Sequence, residues 1–95
     1  MTKCSVIDAG KPVRKAVGHL AIEVDGDVML MNEMQGRYFG LDAIGSDIWK
    51  RLEKPQTVTE LCASLARDYA AERAMIERDV TKLLATLHGY GLVEW

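Results

Sequence analysis

The sequence predicts an α+β fold, namely a winged helix-turn-helix with an N-terminal three-stranded antiparallel sheet followed by three helices. Three observations predict it. Apolar residues alternate with a period of two early in the chain, the period becomes helical at Asp42, and the last two helices precede a short wing-like extension. Because 95 residues supply one hydrophobic core, a single domain is expected.

The predicted sheet is a meander of consecutive strands. Residues 1–16 show no sustained period and are expected to form a flexible basic arm, followed by one domain over residues 17–95. Alternation starts at Leu20, and a turn at residues 25–27 separates the first strand from a second at residues 28–32. The third strand, at residues 37–41, places Phe39 and Leu41 on one face.

Three helices are predicted after the sheet. Asp42 caps the first helix, which Pro55 terminates. Thr57 and Glu60 form a capping-box pattern at the start of the second. The third runs from about residue 74 to residue 90, and glycines near its end fit a left-handed cap. The residues expected to face the core from the first helix are Ile44, Ile48 and Leu52.

Few residues could support catalysis. His19 and His88 lie on different elements, Cys62 falls on an apolar helical stripe, and no phosphate-binding or dinucleotide-binding motif is present. A non-enzymatic protein with no metal or cofactor is therefore expected. Few cysteines, no secretory signal and no membrane-length apolar run indicate the cytoplasm and no membrane partner. Beyond residue 18 the chain is acidic, which disfavours nucleic acid.

The third strand forms one edge of the predicted sheet and would border the third helix. Beside the packed face of that helix lies a stripe that contains Leu83 and Tyr90, which is more apolar than a solvated face requires. An extended peptide could add to the strand edge by main-chain hydrogen bonds. Alternatively, Leu83 and Tyr90 only complete the core.

The order and spacing of several short motifs resemble the PqqD-like family of leader-binding recognition elements. The matching segments are Gly36-Arg37-Tyr38-Phe39-Gly40-Leu41-Asp42, Ile48-Trp49 with Leu52, Thr57-Val58-Thr59-Glu60-Leu61, Asp79-Val80 with Leu83-Leu84 and Leu87, and Gly91-Leu92-Val93. They cover about residues 18–95. The chain departs from the usual family pattern at Asp42, where asparagine is common, and at Lys54, where glycine is common.

The resemblance implies that the chain binds the leader segment of a ribosomally synthesised precursor peptide and presents it to separate enzymes. The partners implied are a leader protease and a macrocyclase of a lasso-peptide pathway. The alternatives are a pyrroloquinoline-quinone-type chaperone for a radical enzyme, a winged-helix DNA-binding regulator and a structural oligomer subunit. The resemblance nominates as peptide-binding residues Arg37, Tyr38, Phe39, Gly40, Leu41, Asp79, Leu83, Thr86 and Tyr90.

Overall fold

Two small antiparallel sheets and three helices form the protein in the computed structural model, which describes residues 10–95. In chain order the elements are β1 (Pro12–Lys15), β2 (His19–Val24), β3 (Asp27–Asn32), β4 (Arg37–Gly40), α1 (Ala43–Arg51), β5 (Gln56–Thr57), α2 (Val58–Tyr69), α3 (Arg73–Gly89) and β6 (Val93–Glu94). The first sheet has the strand order β2-β3-β4 and the second β5-β1-β6. This architecture confirms the predicted α+β class.

The β2-β3 hairpin turns at Asp25 and Gly26, whose φ angles are 53° and 89°. Positive φ at both central residues is the signature of a tight type I′ turn, and its twist suits the two strands. The resulting register pairs Leu20 with Met31 and Ile22 with Met29. Because neighbours across a ladder share a face, these side chains lie together on the outer face of the sheet.

The helix starts agree with the predicted caps. The Asp42 carboxylate accepts a hydrogen bond from the Gly45 N–H at 2.8 Å. At α2, the Thr57 hydroxyl accepts from the Glu60 N–H at 3.1 Å, and the Glu60 carboxylate accepts from the Thr57 N–H at 2.9 Å. Each cap uses groups at most three residues apart, so it forms wherever those residues occur together.

The expectation of a flexible arm over residues 1–16 is wrong at Pro12–Lys15, which form β1; residues 1–9 lie outside the described part of the chain. Strand β1 pairs with β5 on one side and with β6, from the predicted extended tail, on the other. Val13 is fully buried. Four residues are too few to show a period, and both partners are distant in sequence, so the pattern is not visible locally. The folded domain therefore begins before residue 17.

The hydrophobic core lies between the helices and the inner face of the β2-β3-β4 sheet. Ile48 and Leu52 are buried as predicted, but Ile44 is 47% exposed. Its position in the first turn of α1 places it at the rim of a surface cavity instead of inside the core. No helix within residues 10–95 is long and apolar enough to cross a membrane.

Candidate functional site

Strand β4 leaves one side of its backbone without a partner. The Leu41 N–H donates to the Val28 carbonyl at 2.8 Å, which makes this pair a hydrogen-bonded one. Pairs alternate in an antiparallel ladder, so Phe39 and Arg37 also bond to β3, whereas the N–H and C=O groups of Tyr38 and Gly40 point outwards. Within residues 10–95, no backbone or side-chain group hydrogen-bonds to these outward groups. The edge can accept another strand.

The C-terminal end of α3 lies against the start of β4 through aromatic and cationic contacts. Phe39 packs edge-on against the Tyr90 ring, with 5.0 Å between ring centroids. The Arg37 guanidinium lies over the same ring at 4.0 Å from its centroid. Tyr90 thus contacts two side chains of β4. We call the region between the edge of β4 and α3 the β4–α3 groove.

The other end of the β4–α3 groove opens into a cavity of about 350 Å³. This volume lies at the lower end of the range of small-molecule pockets. The residues that line the cavity belong to β4, α1 and α3, and they are Phe39, Gly40, Leu41, Asp42, Ile44, Gly45, Ile48, Asp79 and Leu83. Apolar walls with carboxylates among them suit an extended chain that carries apolar and positively charged side chains.

The two walls of the groove have matching lengths. From Arg37 to Asp42 an extended backbone rises about 17 Å, at roughly 3.3 Å per residue. From Asp79 to Tyr90 a helix rises about 16 Å, at roughly 1.5 Å per residue. Since Tyr90 contacts Arg37, and Asp79 lines the same cavity as Leu41, strand and helix run in opposite directions along the groove. The groove therefore accommodates about five residues of an extended peptide.

The nominated residues occupy three kinds of position. Asp79, Leu83, Phe39 and Leu41 line the cavity, and Tyr90 forms the opposite end of the groove. The Tyr38 side chain is 66% exposed and shares the outer face of the sheet with Met31, so only its backbone faces the edge.

Gly40 and Thr86 are placed less directly. A Cβ atom at Gly40 would lie 3.7 Å from the end of Met29 on the outer face, so this residue too offers its backbone to the edge. Thr86 lies one turn before Tyr90, is half-buried, and does not line the cavity. Its hydroxyl donates to the Lys82 carbonyl at 3.0 Å.

Asn32, one of the buried polar residues, fastens the β3-β4 hairpin to the end of α3. Its amide nitrogen donates to the Tyr90 carbonyl at 2.9 Å, and its oxygen accepts from the N–H groups of Met34 and Gln35 at 3.0 and 3.2 Å. Gly91 permits this approach, since a Cβ there would lie 2.6 Å from the Asn32 nitrogen. Asn32 therefore sets the position of Tyr90 relative to β4.

Ser46, 1% exposed, performs the same task at the other end of β4. Its hydroxyl accepts a hydrogen bond from the Val28 N–H at 2.8 Å and donates to the Leu41 carbonyl at 3.3 Å. The Ser46 hydroxyl thereby takes the place of a direct hydrogen bond from the Val28 N–H to the Leu41 carbonyl, and it ties the ends of β3 and β4 to α1. The edge strand is held at both ends by polar contacts to helices.

Sequence reasoning missed Asn32, Ser46 and Ile44. Asn32 and Ser46 are polar residues inside apolar stretches, which is a weak signal, because such residues more often mark turns or exposed positions. The exposure of Ile44 could have been suspected, since it lies in the first turn of a helix that starts directly at a sheet edge.

In the part of the chain that the structure describes, Cys62, His19 and His88 lie on separate elements and contact different neighbours. Burial raises the pKa of the Cys62 thiol, which opposes formation of the nucleophilic thiolate. His19 contacts the Ala16 carbonyl and the edge of Trp49, and His88 stacks on Trp95. Residues 10–95 contain no cluster of histidine, cysteine or acidic side chains suited to a metal ion.

A family model described as coenzyme PQQ synthesis protein D (PqqD) matches residues 27–93. No curated protein matches the chain. Among solved structures, TbiB1 in complex with the TbiA(beta) leader peptide is 32% identical, with a TM-score of 0.79, over 85% of this chain and 94% of that one.

Two further solved structures share the fold. The solution NMR structure of the PqqD truncation of Methylobacterium extorquens PqqCD, a stand-alone recognition element for ribosomally synthesised and post-translationally modified peptides, is 22% identical, with a TM-score of 0.80, over 96% of this chain and 97% of that one. Lasso peptide synthetase B1 complexed with the leader peptide is 23% identical, with a TM-score of 0.76, over 87% and 98%. At these identities the likeness concerns the fold alone.

Proposed function

The chain belongs to the PqqD family, and from this membership we propose that it binds the leader segment of a ribosomally synthesised precursor peptide and delivers it to separate modifying enzymes. The leader adds to β4 as a further strand and lays alternate side chains into the β4–α3 groove. The nominated residues of β4 and α3 form the binding site. The protein itself performs no catalytic step and needs no cofactor.

The observation that carries this proposal is the unpaired edge of β4 beside an apolar, partly charged groove. Backbone groups at an open edge bind any extended chain, and the groove selects among chains by their side chains. The relative TbiB1, at 32% identity, is known in complex with a leader peptide, which supports the same use of the fold here.

Among pathways, we propose a lasso-peptide pathway with a separate leader protease and macrocyclase as partners. A lasso peptide synthetase B1 is among the chains that share the fold and carry a leader peptide. The alternative is a pyrroloquinoline-quinone-type chaperone that serves a radical enzyme, because a PqqD has the same fold. The proposed compartment is the reducing cytoplasm, where the buried thiol of Cys62 stays free.

Leu83→Glu is the variant that tests leader binding. Leu83 packs against the core from α3 and lines the cavity, so a charge there opposes entry of apolar leader side chains. We expect affinity for the leader to fall by more than about tenfold, or roughly 1.4 kcal/mol, in titration calorimetry. The ligand is a synthetic leader peptide whose sequence comes from a precursor gene that is first identified among the genes neighbouring this one.

Met75→Glu is the matched control, because Met75 lies on the same helix and is 55% exposed. It introduces the same charge, and we expect the affinity to stay within about twofold of the parent value. Circular dichroism checks that both variants keep the fold. Equal affinities of the two variants would rule out the β4–α3 groove as the binding site.

A precursor gene beside protease and cyclase genes would support the lasso pathway, and one beside a radical-enzyme gene would support the alternative.

A further inference from the structure

Resting on the proposed function, we infer that the β4–α3 groove reads the charge order of the leader as well as its apolar residues. The leader segment it selects has a lysine or arginine, an apolar residue and a carboxylate at alternate positions, in that order from its N-terminus. Arg37 binds the carboxylate, and Asp79 with Asp42 binds the cation. The residues that determine specificity are thus the charged residues at the two ends of the groove.

Arg37 supplies a positive charge at one end. Its guanidinium is stacked on Tyr90 at 4.0 Å, and no carboxylate lies within ion-pair distance among residues 10–95. Stacking on an aromatic ring uses the flat face of a guanidinium and leaves its N–H edge free for a planar, two-pronged contact with a carboxylate. The contact also holds the side chain in place, which lowers the entropy lost on binding.

Asp42 and Asp79 supply negative charge at the other end. Both line the cavity, and in the described part of the chain neither forms an ion pair. One oxygen of Asp42 accepts from the Gly45 N–H, which leaves the second oxygen available. The apolar walls contributed by Ile44 and Leu83 suit the stem of a lysine or arginine, whose charged end then reaches the carboxylates.

Strand geometry fixes the spacing between the two charged ends. The Tyr38 side chain and the Cβ position of Gly40 lie on the outer face of the sheet, and residues paired across a ladder share a face, so the leader residues opposite them face away from α3. The leader residues opposite Arg37, Phe39 and Leu41 face the groove and are separated by two positions each. A carboxylate opposite Arg37 therefore lies four positions from a cation opposite Leu41, with an apolar residue between them against Phe39.

The charge order also sets the direction of the leader. The open edge of β4 can pair with a parallel or an antiparallel strand, and antiparallel pairing is the more stable per residue. An antiparallel leader places its cation first and its carboxylate last. Opposite charges at the two ends of the groove make the reversed order unfavourable, because each end would then face a like charge.

The test uses three acetylated, amidated 11-residue peptides of otherwise identical sequence. Their central segments read lysine–X–leucine–X–glutamate, the reverse order glutamate–X–leucine–X–lysine, and glutamine–X–leucine–X–glutamine, where X is serine. The first two have the same composition and net charge, so non-specific attraction cancels between them. Titration calorimetry gives the dissociation constants. We expect the first order to bind at least tenfold more tightly than its reverse, with the neutral peptide between them.

The double variant Arg37→Glu, Asp79→Lys makes the Arg37 end negative and leaves the cavity end without net charge, because Asp42 remains there. It is expected to prefer the reverse order by a few-fold, while single variants at either position reduce the preference for the first order to a few-fold. Three outcomes would overturn the inference. The parent protein could bind both orders equally, it could bind the reverse order more tightly, or the double variant could keep the preference of the parent.

A separate arm with the authentic leader distinguishes this inference from the proposed function. If the authentic leader binds and none of the three peptides does, the charge rule is wrong and leader capture stands. If the authentic leader also fails to bind the parent protein, the proposed function itself is wrong.

Discussion

The two edges of the β2-β3-β4 sheet differ in how their neighbouring charges are used. A cavity of about 380 Å³ lies beside β2, and it is lined by lysines and glutamates that pair with one another. Lys50 binds Glu23 at 2.8 Å and Lys15 binds Glu53 at 3.4 Å. Lys15 also lies over the Trp49 ring at 4.8 Å. The charges beside β2 are satisfied within the protein itself.

The charges beside β4 have no such partners. Among the described residues, Arg37 has only the Tyr90 ring, and Asp79 forms no ion pair. The backbones of the two edges are otherwise similar. By the same alternation, His19, Ala21 and Glu23 point their N–H and C=O groups outwards from β2. An open backbone alone therefore does not distinguish a binding edge.

A second difference lies in how the edges are held. Asn32 ties the β3-β4 hairpin to Tyr90, and Ser46 ties the far end of β4 to α1. Strand β2 is linked to α1 by the edge-on contact of His19 with Trp49 and by the half-exposed ion pair of Lys50 with Glu23, a kind of contact that contributes about 1 kcal/mol at most. Within residues 10–95, no buried polar side chain ties β2 to a helix as Asn32 and Ser46 tie the β3-β4 hairpin. The comparison suggests that a recognition edge combines fixed backbone, unpaired flanking charge and an adjacent apolar cavity.

The largest expected effect comes from proline substitutions at the two edges. Tyr38→Pro removes an outward N–H without breaking a bond to β3, and its ring obstructs an added strand. We expect leader affinity to fall by roughly 30-fold or more, since a lost hydrogen bond and a steric block add. Ala21→Pro removes the equivalent group from β2 and should change the affinity less than about twofold. Calorimetry measures both, and Tyr38→Ala controls for the lost side chain.

A similar loss of affinity at both edges would remove the distinction between them. The circular dichroism spectra and melting temperatures of the two proline variants serve as the check that neither substitution unfolds the sheet.

An intermediate effect is expected from Asn32→Ala. The substitution leaves the Tyr90 carbonyl and the N–H groups of Met34 and Gln35 without partners, which should lower the free energy of unfolding by about 2–3 kcal/mol. Because Tyr90 loses its anchor to the β3-β4 hairpin, leader affinity should also fall, by roughly tenfold. Urea denaturation and calorimetry measure the two quantities.

Leu65→Ala is the control for lost stability, because Leu65 is buried on α2 and does not line the groove cavity. It should cost about 2–5 kcal/mol of stability with no change in the affinity of the folded protein. If both variants weaken leader binding equally at a temperature where they are fully folded, Asn32 has no special role in positioning Tyr90.

The smallest effect is expected at the ion cluster between α1 and α2, whose residues do not line the cavity of the β4–α3 groove. Hydrogen bonding from Arg51 holds the pKa of Asp47 below its usual value. A carboxyl whose folded pKa is depressed contributes stability above its unfolded pKa, near 4, and loses it as the pH falls through the folded pKa. Asp47→Asn should therefore cost about 0.5 kcal/mol at pH 7 and less at pH 3, with leader affinity unchanged.

Urea denaturation followed by the fluorescence of the buried Trp49 measures this difference at each pH. A stability difference that stays constant between pH 7 and pH 3 would contradict the assigned role of the Asp47 charge.

The parts of the fold that depend on neighbours in sequence could be predicted. Asp42, Thr57 and Glu60 cap helices through groups within three residues, and the β2-β3 turn is formed by Asp25 and Gly26. The strand β1 could not be predicted, since its partners are the short strands β5 and β6, which lie far along the chain.

The features of the β4–α3 groove also divide into those that local sequence predicts and those that depend on distant residues. The stripe with Leu83 and Tyr90 follows from helical spacing, and the edge at residues 37–40 follows from strand order. The roles of Asn32 and Ser46 cannot be predicted from local sequence. Asn32 hydrogen-bonds a carbonyl 58 residues away, and Ser46 hydrogen-bonds a strand that precedes it in the chain. The sequence also did not reveal that Lys50 pairs with Glu23 beside β2. Without that information, the unpaired charges beside β4 could not be told apart from the paired charges beside β2.

Residue-resolved amide hydrogen exchange by NMR, with and without a bound leader, shows whether a strand adds to β4. We expect the Tyr38 and Gly40 amides to exchange rapidly in the free protein and to become strongly protected in the complex. The outward amides of β2 at Ala21 and Glu23 should exchange at the same rate in both states. Unchanged exchange at Tyr38 and Gly40 in a leader-saturated sample, or equal protection at both edges, would contradict strand addition at β4.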